Sequence, residues 1–191
     1  MEWVRLLLVH SGTKRLDRLV QLIQGQEFEV VVSKIPVTSP SRYEAVIFAG
    51  GIIPAASYRA VKMWSREFIR SLTAPFLGIC LGHLMLGLAY GATYRTLPEA
   101  ECGPTSISLK EGFPLASGAT TLRVWEDHRH ELVHLPSHLR NYASSPITRV
   151  QAIKHVEKDQ FGVQFHPESE EETGGLIVLQ NFLRMVRYRN E

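Results

Sequence analysis

The sequence predicts an α/β fold: a doubly wound, mostly parallel sheet flanked by helices, with a small antiparallel extension. Before Gly91, short apolar segments alternate with amphipathic helical patterns, which is typical of parallel strands covered on both faces. Beyond Gly91, short segments alternate polar and apolar residues and are separated by turn residues, which is typical of antiparallel strands.

The first predicted strand is 4–10, a run of branched apolar residues that ends at a Ser-Gly turn. The next segment, 16–23, places apolar residues at a period near 3.6 and charged residues on the other face, and Gly25 suits the C-cap of such a helix. Apolar runs at 28–33 and 45–49 predict the second and third strands, and the third stops at two glycines.

A second helix is predicted at 56–71, followed by a strand at 75–79 and a helix at 81–90. The last of these is apolar along its length and is closed by a glycine, so we expect it to be buried.

The remaining segments predict the antiparallel extension and the end of the fold. Alternating segments at 106–109, 121–125 and 150–153 are expected to be strands, and an apolar run at 161–165 is expected to be another. The amphipathic pattern at 175–188 predicts a closing helix.

Composition limits the classes of function. The length of 191 residues fits one domain over 1–191, and the hydrophobic fraction of 45% is that of a globular protein. A net charge of +2 offers no broad surface for nucleic acid or anionic membrane, so we expect neither as a partner. Two cysteines, Cys80 and Cys102, are too few for a disulfide framework. With no export signal or membrane-length apolar run visible, we expect a cytoplasmic protein.

The segment Gly-Ile-Cys-Leu-Gly at 78–82 has the form of a nucleophile elbow, with cysteine in place of serine. Its glycines allow a sharp turn between strand and helix, and Cys80 precedes the predicted helix 81–90. The helix dipole there favours a thiolate, and the N–H group of Leu81 can face an oxyanion. The alternative is a buried structural cysteine in an ordinary turn.

A cysteine nucleophile needs a base that is near in space. His166 ends an apolar strand within the segment 162–169, and Glu168 follows two residues later. In an extended segment the two side chains project to the same side, so the carboxylate can orient the imidazole. The residues therefore predict a triad of Cys80, His166 and Glu168, against the alternative that the pair lies in a surface turn.

These motifs carry a family resemblance. Gly-Ile-Cys-Leu-Gly-His at 78–83 and Gly-Val-Gln-Phe-His-Pro-Glu-Ser at 162–169 resemble the class I (triad) glutamine amidotransferases, and Gly50 and Gly51 resemble their oxyanion loop. The resemblance covers essentially the whole chain.

The resemblance implies hydrolysis of the side-chain amide of glutamine. Cys80 would attack the amide carbon, and the N–H groups of Gly51 and Leu81 would stabilise the oxyanion. His166, oriented by Glu168, would pass a proton to departing ammonia, and water would then release glutamate.

A further segment is similar to one branch of that family. Val-Trp-Glu-Asp-His-Arg-His-Glu-Leu at 124–132, followed by Leu-Pro at 135–136, resembles a segment of GMP synthase amidotransferase chains. That branch implies a partner, a separate ATP-pyrophosphatase synthetase subunit, and ammonia delivery to adenylylated xanthosine monophosphate. It also implies His128 as a substrate-binding residue, ATP and Mg on the partner subunit, and no cofactor in this chain.

Three departures from the family pattern concern glutamine binding. Leu84 stands where the family usually has glutamine, the loop at 50–54 reads Gly-Gly-Ile-Ile-Pro instead of Gly-Gly-Pro, and Asp127 replaces a common serine. None of them touches the predicted triad. We therefore expect weak or partner-dependent glutaminase activity.

Two other functions remain open. The Pro-Glu-Ser ending of 162–169 also resembles the glutaminase chains of anthranilate and aminodeoxychorismate synthases, although those usually carry Tyr-His-Ser-Leu where this chain has Asp-His-Arg-His at 127–130. A catalytically impaired member of the fold, acting as a regulatory or binding module, is the alternative from another class.

The segment 130–134 matches the zinc-peptidase motif His-Glu-x-x-His, and His138 adds another possible ligand. That motif requires a continuous helix, which the Leu-Pro pair at 135–136 disfavours, and the preceding residues 121–125 are predicted to be a strand. We therefore expect no metal site.

Overall fold

A computed structural model describes residues 3–37 and 42–190, and for Asn190 its backbone only. Residues 1–2, on which the expectation of no export signal partly rests, lie outside this range, as do 38–41 and 191. No helix in the described part of the chain is both long and apolar enough to cross a membrane.

Nine strands and four α-helices make up the described fold. The strands are β1 (Val4–Ser11), β2 (Phe28–Lys34), β3 (Ala45–Gly51), β4 (Phe76–Ile79), β5 (Thr93–Leu109), β6 (Thr121–Val133), β7 (Leu139–Ser144), β8 (Ala152–His155) and β9 (Gln160–Val163). The helices are α1 (Leu16–Gln24), α2 (Tyr58–Ser71), α3 (Leu81–Tyr90) and α4 (Leu176–Asn190). Short 3-10 turns occur at Ala55–Ser57 and Pro114–Ala116.

The strands form one sheet in the order β2-β1-β3-β4-β9-β8-β7-β5-β6. Pairings from β2 through β9 are parallel, and pairings from β9 through β6 are antiparallel. The predicted fold class is confirmed. The antiparallel part is more extensive than the short predicted segments indicated, because β5 and β6 are long and β7 was not predicted.

Alternate residues of the central strands point into two separate cores. Leu6 and Leu8 of β1 pack in the core that α1 and α4 cover, whereas Leu7 and Val9 pack in the core that α2 and α3 cover. Burial on both faces explains why these strands are continuous apolar runs.

The order β3-β4-β9 decides where a functional site can form. These three strands are parallel neighbours, with Gly78 of β4 beside Phe48 of β3 and Gly162 of β9. Their carboxyl ends therefore meet at one edge of the sheet, which is where α/β proteins bind ligands.

Candidate active site

The nucleophile elbow forms between β4 and α3, as the sequence predicts. Cys80 has φ 49° and ψ −96°, a backbone conformation that is strained for any residue other than glycine. A Cβ atom on Gly78 would collide with the main chain of Gly82, and one on Gly82 would collide with the carbonyl of Phe48. Glycine is therefore required on both sides of Cys80.

Strand β9 brings His166 to the elbow. The N–H group of Cys80 donates to the carbonyl of Val163 at 2.8 Å, which fixes the end of β9 beside the nucleophile. Three residues further on, the N–H group of His166 donates to the carbonyl of Trp125 in β6 at 2.9 Å. The segment after β9 is thus held at both ends.

The predicted pair of His166 and Glu168 is present and buried. Nδ1 of His166 lies 2.8 Å from Oε1 of Glu168, and the two residues are 5% and 0% exposed. Burial by itself lowers the pKa of His166, but hydrogen bonds with Cys80 and Glu168 and their negative charges raise it well above its usual value. The raised pKa therefore favours the protonated imidazole next to the sulfur.

Glycines of β3 complete the space around this pair. A Cβ atom on Gly50 would lie 3.0 Å from Cε1 of His166 and 3.6 Å from Cβ of Cys80. Gly51 has φ 147°, and the next residue, Ile52, donates its N–H group to the carbonyl of Ser11 at 3.1 Å. This strand end approaches the nucleophile and the imidazole closely because it carries no side chain there.

A cavity of about 350 Å³ opens beside Cys80. Its wall includes Gly51 and Leu81, the two predicted oxyanion residues, and Leu81 begins α3, where N–H groups have no intrahelical acceptor. Leu84 lies one turn further along α3, also on the wall. The cavity wall is therefore apolar at the position where members of the family usually have a glutamine residue.

His128 also lines this cavity, but its ring is buried among protein groups. Its Nδ1 lies 3.1 Å from the carbonyl of His130, and its Nε2 lies 3.1 Å from Glu126 Oε2 and 3.3 Å from Glu101 Oε2. Burial lowers the pKa of His128, but the two carboxylates outweigh it and raise that pKa to about 9. Both ring nitrogens therefore face protein groups and not the cavity.

Three polar residues near Cys80 or His128 were not predicted from the sequence. Gln164, inside the predicted 162–169 segment, places Nε2 3.9 Å from Cys80 Sγ. Glu101 and Glu126 approach His128 because Glu101 is its cross-strand neighbour and Glu126 is two residues away on the same face of β6. The spacing of 126 and 128 was visible in the sequence, but the register of β5 was not.

The zinc-peptidase interpretation is excluded by the backbone. The segment 130–134 belongs to β6 and the turn after it, so its histidines do not share a helical face. Its glutamate, Glu131, is buried; it accepts a hydrogen bond from Arg95 Nε at 2.6 Å and another from the N–H group of Arg149 at 2.8 Å. Glu131 is thus the ion-pair partner of Arg95.

Comparison with known families agrees with this geometry. The glutamine amidotransferase class-I family model matches residues 9–186. The chain belongs to this family. The expected fold and the expected glutamine-hydrolysing amidotransferase are both confirmed by the match.

Several proteins similar to this class-I amidotransferase are named as GMP synthase subunits. The chain is 36% identical over 165 residues to a glutamine-hydrolysing GMP synthase subunit of Saccharolobus solfataricus, and the match covers 85% of this chain and 87% of that one. It is 31% identical over 188 residues to the corresponding GMP synthase subunit of Ignicoccus hospitalis, covering 96% and 99%. A crystal structure of a Thermoplasma acidophilum protein, provisionally assigned as the same kind of GMP synthase subunit, superimposes with a TM-score of 0.90, 23% identity and coverage of 100% and 98%. That last likeness concerns the fold alone.

Proposed function

We propose that this class-I amidotransferase releases ammonia from glutamine and passes it to a separate synthetase chain that converts xanthosine monophosphate to GMP. The pairing of an elbow cysteine with the buried His166 and Glu168 supports the glutamine half-reaction. Similarity to chains named as glutamine-hydrolysing GMP synthase subunits, over nearly the full length in one case, supports the synthetase half-reaction.

In the proposed mechanism, Sγ of Cys80 attacks the side-chain carbonyl carbon of glutamine. The imidazolium of His166 gives its proton to the departing ammonia, which leaves a thioester on Cys80. His166 then takes a proton from water as the water attacks the thioester and releases glutamate. Glu168 is a positioning residue that holds the imidazole through Nδ1 and stabilises its charge.

The oxyanion formed during both steps needs donors that are already in place. We assign this role to the N–H groups of Gly51 and Leu81, which lie at the end of β3 and the start of α3 on the cavity wall. His128 belongs to the wall as a substrate-binding residue, acting through the position of its strand.

The remaining parts of the proposal concern what the chain works with. Residues 1–191 act as one amidotransferase domain, in the cytoplasm, without nucleic acid or membrane. The partner is an ATP-pyrophosphatase subunit, which binds ATP and Mg, whereas the glutamine reaction uses no cofactor from this chain.

Reconstitution with the purified synthetase subunit tests the proposal. Cys80→Ala abolishes GMP formation from glutamine but leaves formation from added ammonium salts unchanged, because only ammonia supply depends on the thiol. Cys102→Ala, which removes the other and exposed cysteine, serves as the matched control and keeps both activities. Loss of both activities in Cys80→Ala would show that the chain does not act by supplying ammonia.

One observation favours a second candidate, an impaired amidotransferase that binds without catalysing. Leu84 gives the cavity an apolar wall where the family usually has a polar side chain. Stoichiometric labelling of Cys80 by a glutamine-analogue electrophile supports the enzyme. An unlabelled thiol, even with the synthetase present, supports the binding module.

A further inference from the structure

A buried cluster of three ionisable side chains, Glu101, Glu126 and His128, lies beside the active-site cavity. The side chains are 2%, 0% and 2% exposed. One oxygen or nitrogen atom from each lies within 4.8 Å of the others. The cluster is built by secondary structure alone, since Glu101 faces His128 across β5 and β6, and Glu126 shares its face of β6.

The imidazole of His128 is oriented as a metal ligand would be. Nδ1 faces the carbonyl of His130 at 3.1 Å, and since a carbonyl can only accept, Nδ1 carries a hydrogen. When Nε2 carries no proton, its lone pair is directed toward Glu101 and Glu126. Three lone-pair sites cannot face one another in a buried space unless a proton or a cation lies between them.

The two carboxylates differ in how well they are satisfied. Glu101 accepts hydrogen bonds from Thr148 Oγ1 at 2.6 Å and Ser145 Oγ at 3.1 Å, so its anionic form is fixed in place. Glu126 is completely buried, and neither of its oxygens has a properly oriented hydrogen-bond donor among the described residues. Nε2 of His128 lies close to an oxygen of each carboxylate, but a hydrogen on Nε2 does not point at either oxygen well enough to form a hydrogen bond. A metal ion that replaces this proton would lie where both carboxylates can bind it.

We infer that Glu101, Glu126 and His128 form a binding site for a divalent transition-metal ion of the zinc type. The separations of 3.1 and 3.3 Å from Nε2 to the two carboxylate oxygens suit neighbouring ligands of one ion, since bonds of about 2.0–2.1 Å give tetrahedral edges of about 3.3 Å. Two carboxylates and a neutral imidazole also cancel the charge of a divalent ion. The Nδ1–carbonyl contact and the hydroxyl groups on Glu101 are the outer-shell bonds that such ligands need.

The ion would act on the active site through Asp127. This residue lies between two of the ligands, and its carbonyl oxygen is 3.9 Å from Sγ of Cys80. A bound ion fixes β6 on both sides of that carbonyl and so holds the wall opposite the nucleophile. The site is separate from the His-Glu-x-x-His segment and does not depend on the identity of the ammonia acceptor.

Zinc titration tests the site. The full chain carrying Cys80→Ser and Cys102→Ser, which removes competing thiolates, is stripped with a chelator and titrated with zinc chloride against a chromophoric competitor. We expect one zinc ion per chain. Adding Glu126→Gln raises the dissociation constant by about tenfold or more, whereas Glu99→Gln, an exposed glutamate in the same strand as Glu101, does not change it.

A cobalt spectrum of the unmodified chain gives an independent measurement if Glu126→Gln does not fold by circular dichroism. We expect the visible absorption spectrum to show the bands of cobalt bound by nitrogen and oxygen ligands, without a thiolate-to-cobalt charge-transfer band. A thiolate band that disappears in Cys80→Ser would place the ion on the nucleophile and overturn the inference. No stoichiometric zinc binding, or equal binding in the Glu99 and Glu126 variants, would also overturn it.

Discussion

At the scale of single residues, the carboxylate of Glu168 controls the charge on His166. It is wholly buried, its Oε1 lies 2.8 Å from Nδ1 of His166, and its Oε2 has no hydrogen-bond partner among the described residues. Its charge is therefore directed at one imidazole. Because a protonated imidazole stabilises a neighbouring thiolate, Glu168 also affects the reactivity of Cys80.

Glu168→Gln therefore slows alkylation of Cys80. Loss of the carboxylate lowers the pKa of His166, so less of the imidazolium lies beside the sulfur at neutral pH. We expect the rate constant for iodoacetamide at neutral pH to fall by about tenfold. Glu170→Gln, which removes an exposed carboxylate two residues away, is the control and leaves the rate unchanged. Equal alkylation rates in the unmodified chain, Glu168→Gln and Glu170→Gln would mean that Glu168 does not stabilise the imidazolium.

Gly50 is a second residue whose effect follows from one distance. Gly50→Ala adds a methyl group 3.0 Å from Cε1 of His166, so the imidazole has to move out of its present position. We expect kcat for glutamine hydrolysis to fall by about tenfold or more, with a smaller change in KM. Gly25→Ala, at the exposed C-cap of α1 where φ is −62°, is the matched control. Full activity in Gly50→Ala would show that the imidazole has room to move.

At the scale of elements, α3 begins directly after the nucleophile and supplies one wall of the cavity. Leu84 lies one turn from Cys80, and Leu88 lies a further turn along the same wall. Only Leu84 is close to Cys80, where the amide carbon of glutamine would react. Of these two positions, Leu84 is therefore the one at which a polar side chain would lie near the nucleophile.

Leu84→Gln lowers KM for glutamine. Its amide can hydrogen-bond the substrate, and one such bond is worth about 1 kcal/mol, which corresponds to about a fivefold lower KM. Leu88→Gln places the same amide one turn too far from Cys80 and serves as the control, with KM unchanged or higher. Steady-state glutaminase assays with the synthetase subunit present measure both. An unchanged KM in Leu84→Gln would mean that glutamine binds elsewhere in the cavity.

The elements also show what the sequence can predict. Helix α3 has the predicted bounds because an apolar run between two glycine signals has few alternatives. Strand β5 was predicted only at 106–109 but starts at Thr93, because its first part is polar, contains Pro98 and has a register shift against β6. Strand β7 was missed because only Leu139 and Ala143 are buried in it. Edge and half-exposed strands depend on their neighbours more than on their own pattern.

The same distinction applies to the site. Cys80, His166 and Glu168 were predicted because each is fixed by a local motif at the end of a strand. Glu101 was not, because its approach to His128 depends on the register between two long antiparallel strands. Contacts that depend on register cannot be read from local patterns.

At the scale of the whole molecule, the site joins the two halves of the sheet. The parallel half contributes the nucleophile, the glycine loop and the base at the ends of β4, β3 and β9. The antiparallel half contributes the carbonyl groups of Trp125 and Asp127, which contact His166 and Cys80. Ionisation in the site is therefore linked to the stability of the entire fold.

This linkage predicts how stability depends on pH. A histidine whose pKa is higher in the folded chain than its usual 6.5 stabilises the fold fully below that value, and the contribution is lost as the pH rises through the folded pKa. Glu168 raises the pKa of His166, so its contribution is largest in acid and declines toward alkaline pH.

The effect of Glu168 on stability is measured in a Cys80→Ser background, which removes the thiol. Denaturant unfolding of Cys80→Ser and Cys80→Ser/Glu168→Gln is measured between about pH 6 and about pH 9. We expect the first protein to be the more stable at the acidic end. The difference in free energy of unfolding between the two proteins narrows as the pH rises, by at most about 1.4 kcal/mol per pH unit for one proton. Apart from residue 168, the two chains carry the same ionisable groups. A constant or widening difference would mean that Glu168 does not act through the protonation of His166.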